Sequence, residues 1–211
     1  MVKQRRVERQ RAVGAHKRRL ILDAAQKVFA QEGLEGASLR LIAAEAGYTP
    51  AALYFHFQSK EAIYAELLQE SLGRLGEAVA EAAPADANAA DRLRRAGMAF
   101  FGYYAHHAGE LDLGFYLFRG GMKPAGLGRE WDEALNAALI AALAPITAAA
   151  EALGTSREVA QRVTVNCFAH AAGLLLLMHT GRIRIFGAQA EGLMADYLEG
   201  VVAEIRTSAD A

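Results

Sequence analysis

Apolar residues recur at three- and four-residue intervals along most of the chain, which predicts a succession of helices. The first stripe, Leu20, Ile21, Ala24, Ala25, Val28 and Phe29, predicts a helix over about 16–32. Ile42, Ala43 and Ala46 then share one face of a short helix, and Gly47 ends it, being able to take positive φ without a Cβ clash. Thr49 supplies a hydroxyl N-cap and Pro50 stands at the first helical position, where a missing N–H costs nothing. The helix they open, about 50–57, is too short to hold alone and must pack through Leu53 and Phe57. Ser59 caps the next, with Glu61 in its first turn.

Further along, a long helix over about 60–83 buries Ile63, Leu67, Leu68, Leu72 and Leu75. The run Ala83–Asn88 breaks it, and helices follow at about 91–107 and 110–119. Gly120–Gly126 reads as a loop by composition. Trp131–Leu153 predicts another helix, kinked near Pro145, and Thr155 with Glu158 reads as a capping box for a helix reaching about Thr180. A last helix runs over about 188–206. The expected fold is all-α, about nine helices: an N-terminal helix-turn-helix head of three helices and a larger helical body. The expected domains are a flexible basic arm at 1–15, a helix-turn-helix domain at 16–62 and a helical body at 63–211.

Two short helices joined by a glycine turn match the helix-turn-helix unit, whose second helix lies in the major groove of DNA. The residues carry a closer likeness. Ile21-Leu22-Asp23-Ala24-Ala25, Phe29, Gly33, Ser38, Ile42-Ala43, Ala46-Gly47, Leu53-Tyr54, His56-Phe57 and Ser59-Lys60-Glu61 occur in order. From Arg18 to about Leu68 the chain resembles the DNA-binding domain of the TetR/AcrR family of bacterial one-component transcriptional regulators. Tyr48, where a small aliphatic residue is usual, and Thr49, where serine is common, depart from that pattern.

The resemblance implies roles for particular residues. Arg18 and Ser38 fall at its start and at the first cap of the unit. Arg40 matches a position that reaches a base edge or a phosphate, and an arginine can bind guanine bidentately. Thr49, Pro50 and Ala51 open the recognition helix, and Ala51 can touch a thymine methyl. Tyr54 and His56 match phosphate-bonding positions, although His56 between Phe55 and Phe57 also fits a structural role. Lys60 matches a phosphate contact at the start of the following helix.

Charge sharpens this reading. Residues 1–60 carry 11 Lys+Arg against 5 Asp+Glu, whereas 61–211 carry 12 against 19. A basic head on an acidic body implies a polyanion partner for the head, double-stranded DNA. Lys3–Arg19 alone holds 8 Lys+Arg and one acid, for phosphate attraction or insertion into the adjacent minor groove. A single cysteine allows no intrachain disulfide and fits a reducing cytoplasm. Met1–Arg19 lacks the apolar core of a signal peptide, and the clean apolar run Ala171–Met178 is too short to span a bilayer. No membrane association is expected.

The body exceeds what DNA binding needs. Phe100, Tyr103, Tyr104 and His107 recur at helical spacing, with Phe115, Tyr116, Phe118, Met122 and Trp131 close behind. An aromatic core explains them, and so does a ligand pocket; Asn166, His170 and His179 on an otherwise apolar helix favour the pocket. The candidate ligand residues are Phe100, Tyr104, His107, Tyr116, Trp131, Asn166 and His170, for a small-molecule effector that is mostly apolar or aromatic. The family likeness also implies a homodimer through the helices at about 155–180 and 188–206. Phe168, Ala172, Leu175, Leu176, Leu193, Tyr197 and Val201 would supply its apolar stripes. On the resemblance and these residues, the body at 63–211 is expected to be a ligand-binding and dimerisation domain. Two such heads would meet successive major grooves roughly 34–36 Å apart, and the long helix at 60–83 joins head to body.

Chemistry finds no foothold. There is no G-x-S-x-G elbow or phosphate-binding G-x-x-x-x-G-K-[ST] loop. Cys167 and His170 sit three apart on one helix without a second Cys or a carboxylate neighbour, and His106 and His107 point to different faces. The sequence therefore predicts no enzyme, no cofactor and no metal, but a ligand-responsive DNA-binding repressor. The competing class is a helical small-molecule carrier or protein-interaction bundle without specific DNA binding.

Overall fold

A computed structural model describes residues 2–114 and 126–209. Its elements are α1 (Val2–Gly36), α2 (Leu39–Glu45), α3 (Pro50–Tyr54), α4 (Lys60–Ala82), α5 (Ala89–His106), α6 (Ala108–Gly114), α7 (Arg129–Ala152), α8 (Arg157–His179), a 3-10 turn (Arg182–Phe186) and α9 (Ala190–Ala209). All regular elements among the described residues are helical. They group into two compact units, one from Met1–Glu70 with Asp112–Glu133 and the other from Ser71–Leu111 with Ala134–Ala211. The division falls inside α4, later in the chain than the expected boundary at 62.

In the first unit, α1 packs Ile21, Leu22, Ala25, Val28 and Phe29 into a core shared with Ile42, Ala43, Leu53, Phe57, Ile63 and Tyr64. Phe29 meets Tyr64 edge to face at 4.9 Å between ring centroids, and the Tyr64 hydroxyl donates to the Leu113 carbonyl at 2.7 Å. Two expectations change here. Residues 2–15, within the segment expected as a flexible arm, continue α1 back to Val2. Leu20, expected on the buried stripe, is exposed. The helical backbone breaks at Gly33 (φ 70°), so the regular helix ends near the expected 32.

The second unit is built on α5, α8 and α9. Leu93, Ala96, Phe100, Phe101 and Tyr104 of α5 are buried with Cys167, Ala171, Leu174 and Leu175 of α8 and Met194, Leu198 and Val202 of α9. A Cβ added at Gly97 would come within 2.6 Å of a Leu198 methyl, so α5 and α9 approach as closely as a glycine permits. α7 continues through Pro145 as one element and buries Leu135, Ala142, Leu143, Ile146, Ala149 and Ala150. It is long and apolar enough to cross a membrane by composition alone, yet that ridge is packed inside the unit. Thr147 and Thr164 share a hydrogen bond at 2.7 Å between α7 and α8.

The start of α8 corrects a further expectation. Ser156, not Thr155, is the N-cap, accepting from the Val159 N–H at 3.3 Å, while the Thr155 hydroxyl turns back to donate to the Ala150 carbonyl at 2.9 Å. Two adjacent hydroxyls compete at this corner, and each satisfies a different helix end. A polar knot joins α4, α5 and α6. Glu110 accepts from Ser71 Oγ at 2.7 Å, from the Tyr103 hydroxyl, and from Arg74 Nη2 at 3.0 Å. Burial alone would raise the Glu110 carboxyl; the donors Tyr103, Ser71 and Arg74 outweigh it and hold it below the usual carboxylate range. Burial and that same hydrogen bond push the Tyr103 phenol up to about 12.

Candidate nucleic-acid interface and effector cleft

The turn between α2 and α3 follows from three residues. Ser38 caps α2, accepting from the Leu41 N–H at 3.2 Å. Gly47 takes φ 70°, and the Gly47 and Tyr48 N–H groups close onto the Ala44 and Ala43 carbonyls at 3.1 and 2.8 Å. Thr49 then caps α3 through the Ala52 N–H at 3.2 Å, with Pro50 at the first helical position. Buried Leu53 and Phe57 fasten α3 from below. Thr49, Pro50, Ala51 and Tyr54 are left exposed on its outer side, with Arg40 exposed on α2. Those five expected contact residues are therefore all accessible. Arg40 has no hydrogen bond or ion pair among the described residues.

Three other expected DNA contacts are engaged within the unit. Arg18 donates from Nε to Glu66 at 2.7 Å and from Nη1 to the His56 carbonyl at 2.9 Å, and its guanidinium lies 4.1 Å from the Phe57 ring centroid. Its charge is satisfied by Glu66, and its planar fork clamps the residue behind α3. Lys60 turns its ammonium onto the Leu34, Ala37 and Glu35 carbonyls at 2.7, 3.2 and 3.3 Å. The break at Gly33 strands those carbonyls outside a regular helix, and an ammonium with three N–H groups satisfies them. His56 is half-buried, its N–H bonded to the Leu53 carbonyl at 2.8 Å.

One further exposed side chain adjoins these residues. Phe55, the C-cap of α3, is 91% exposed, beside Tyr54 at 59%. The sequence marks it only as a neighbour of His56; the signal that sets it apart from the packing residues is spacing, because Leu53 and Phe57 are four apart and Phe55 falls between them.

In the body, the expected ligand residues do not converge. Phe100 and Tyr104 are buried and pack edge to face at 5.4 Å, with Phe168 tilted against Phe100 at 5.7 Å, which is core packing. His107 is exposed and stacks on Tyr103 at 4.6 Å. Asn166 is exposed. His170 stacks on Tyr197 at 4.0 Å, with its Nε2 buried and unpartnered. Trp131 is exposed in the first unit. Tyr116, with Phe115, Phe118 and Met122, lies outside the described residues. A cleft of about 520 Å³ opens on another face of α5, lined among others by Met98, Phe101 and Met178 with Arg95, His106 and Glu191 around them. Cys167 is buried, which pushes its thiol up to about 11 against the smaller opposing effect of a Tyr197 hydrogen bond, so it is not a thiolate at neutral pH.

A capped helix-turn-helix with its second helix facing outward, followed by an all-helical body, defines a DNA-binding domain of the regulatory kind. Residues 21–67 match the family described as bacterial regulatory proteins, tetR family. Over those residues the chain is similar to the DNA-binding domain of the TetR/AcrR regulators. It is 37% identical over 65 residues to the HTH-type transcriptional repressor AcnR of Corynebacterium diphtheriae, covering 31% of this chain and 34% of that one. To the HTH-type transcriptional repressor KstR2 of Mycobacterium tuberculosis it is 37% identical over 87 residues, 41% of this chain and 44% of the relative. The matches thus span about a third to under half the length of these curated relatives. The fold extends further: the TetR family transcriptional regulator PfmR from Thermus thermophilus superposes with a TM-score of 0.58 at 25% identity, over 87% of this chain and 97% of PfmR.

Proposed function

We propose that the protein is a cytoplasmic transcriptional regulator, a repressor that grips a palindromic operator as a homodimer and lets go when a small molecule enters its helical body. The observation that carries this reading is the exposed face of α3 with Arg40 beside it, held from behind by Leu53, Phe57 and Arg18. No catalytic role is proposed.

Pairing is supported by apolar side chains left uncovered on α8 and α9. Val165 and Leu176 are 63% and 58% exposed, Leu193 is exposed, and Phe168, Ala172, Tyr197 and Val201 are half-buried. Leu175, expected on the same stripe, is instead buried in the protomer's own core. A two-fold axis would set this surface against itself and present two recognition helices to two half-sites.

For the effector, the cleft on α5 is the candidate in preference to the aromatic cluster, whose rings already fill one another's space. Its volume lies in the usual range for small-molecule sites, and its two methionines adapt to varied shapes. The ligand must bind the DNA-free form better, typically by about 1–3 kcal/mol of coupling. The test is to select sequences bound by the full chain from random DNA, then to screen small molecules for release of the selected operator. Enrichment of a palindrome and its release at constant salt support the reading. Absence of any enriched sequence would leave the helical carrier as the better account.

A further inference from the structure

We infer that the recognition helix reads its operator by apolar contact with thymine methyl groups, and that bidentate base readout from α2 and α3 is confined to Arg40. The inference rests on the DNA-binding reading above and names what that face recognises.

Bidentate base recognition needs arginine, lysine, asparagine or glutamine in the major groove. Between Leu39 and Tyr54 only Arg40 qualifies, and it is on α2. The α3 residues themselves are Pro50, Ala51, Ala52, Leu53 and Tyr54. Leu53 is buried, and Pro50 has no N–H. The Thr49 hydroxyl accepts from the Ala52 N–H and keeps a single O–H to donate, which cannot make a bidentate contact, and the Leu53 N–H is bonded to the Thr49 carbonyl at 3.1 Å. What α3 exposes is therefore a pyrrolidine ring, an alanine methyl and a phenol, continued by Phe55 at 91% exposure. Phe55 is the most exposed of the large apolar side chains in the described structure, and it has no donor or acceptor to offer a phosphate. The apolar feature of the major groove is the C5-methyl of thymine. Arg18 and Lys60, which a reading by charge would add to the interface, are spent on Glu66 and on the carbonyls behind the helix.

The experiment takes the operator enriched by the full chain and replaces each thymine in turn by deoxyuracil. This removes the methyl and keeps the pairing and the remaining groove pattern. Each guanine is replaced in parallel by 7-deazaguanine, which removes the N7 acceptor. Loss of about fourfold in affinity is expected at one or two thymines of each half-site, the equivalent of one buried methyl group. A further loss is expected at one guanine of each half-site, and it should vanish in Arg40→Ala. Phe55→Ala should weaken binding to the thymine operator and narrow its advantage over the uracil operator. Alanine at this exposed position leaves the core untouched, and the thermal midpoint reports that directly. Equal affinity for all uracil-substituted operators would overturn the inference while leaving specific DNA binding intact. Failure to enrich any sequence would overturn the DNA-binding reading, and this inference with it.

Discussion

Arg40, Arg18 and Lys60 are all cations in the same basic head, and the surroundings of each decide what it can do. Arg40 is exposed and has no ion pair among the described residues, so Arg40→Ala should cost roughly 1–3 kcal/mol of operator binding and relax preference at one base pair. Fluorescence anisotropy against the operator and its single-base variants checks this; an unchanged preference at every position would remove Arg40 from the readout. Arg18 should behave differently, because its guanidinium binds Glu66, the His56 carbonyl and the Phe57 face. Arg18→Ala should weaken specific binding while leaving the slope of log K against log salt intact. Removing a true phosphate contact lowers that slope by about one, and a drop of that size would return Arg18 to the interface. Residue type and position in the chain point to all three as DNA contacts. Only the tertiary structure separates them, since the partners of Arg18 and Lys60 lie tens of residues away along the chain.

At the level of elements, the caps and stripes were legible because they are local. Thr49, Pro50 and Gly47 act within a few residues of themselves, and each does what its chemistry predicts. The expected burial of Ile63, Leu67, Leu68, Leu72 and Leu75 along α4 also holds. Periodicity cannot rank two neighbouring hydroxyls, however, and Ser156 took the cap expected of Thr155. Nor does composition report that a basic segment continues a helix, as residues 2–15 do. The knot at Glu110 was illegible because its members come from three helices, α4, α5 and α6. With its folded-state carboxyl held low, Glu110 binds a proton more weakly folded than unfolded. Its contribution to stability is therefore complete above the ordinary carboxylate range and is lost as pH falls through the lowered value. Glu110→Gln should lower the thermal midpoint at neutral pH and shrink the gap to wild type on the acid side of that range. A gap independent of pH would mean that the carboxylate charge is not what the knot uses.

For the molecule as a whole, the uneven charge, +6 over residues 1–60 and −7 over the remainder, confines attraction for a polyanion to the head. The body's proposed contribution is to pair the heads, and its exposed apolar face on α8 and α9 gives that proposal a direct check. Leu176→Glu puts a charge on a side chain already 58% exposed, so the protomer should keep its fold by circular dichroism. Its mass by sedimentation should fall to that of a single chain, and operator affinity should fall with it. A dimer that survives the charge would move the interface elsewhere. The central claim, that the face formed by Arg40 and α3 recognises a particular DNA sequence, is tested most directly by one titration. The affinity of the full chain for its selected operator is compared with that for a scrambled duplex of equal length at the same salt. The account predicts a ratio of roughly 10³ or more; equal affinity for the two duplexes would contradict it.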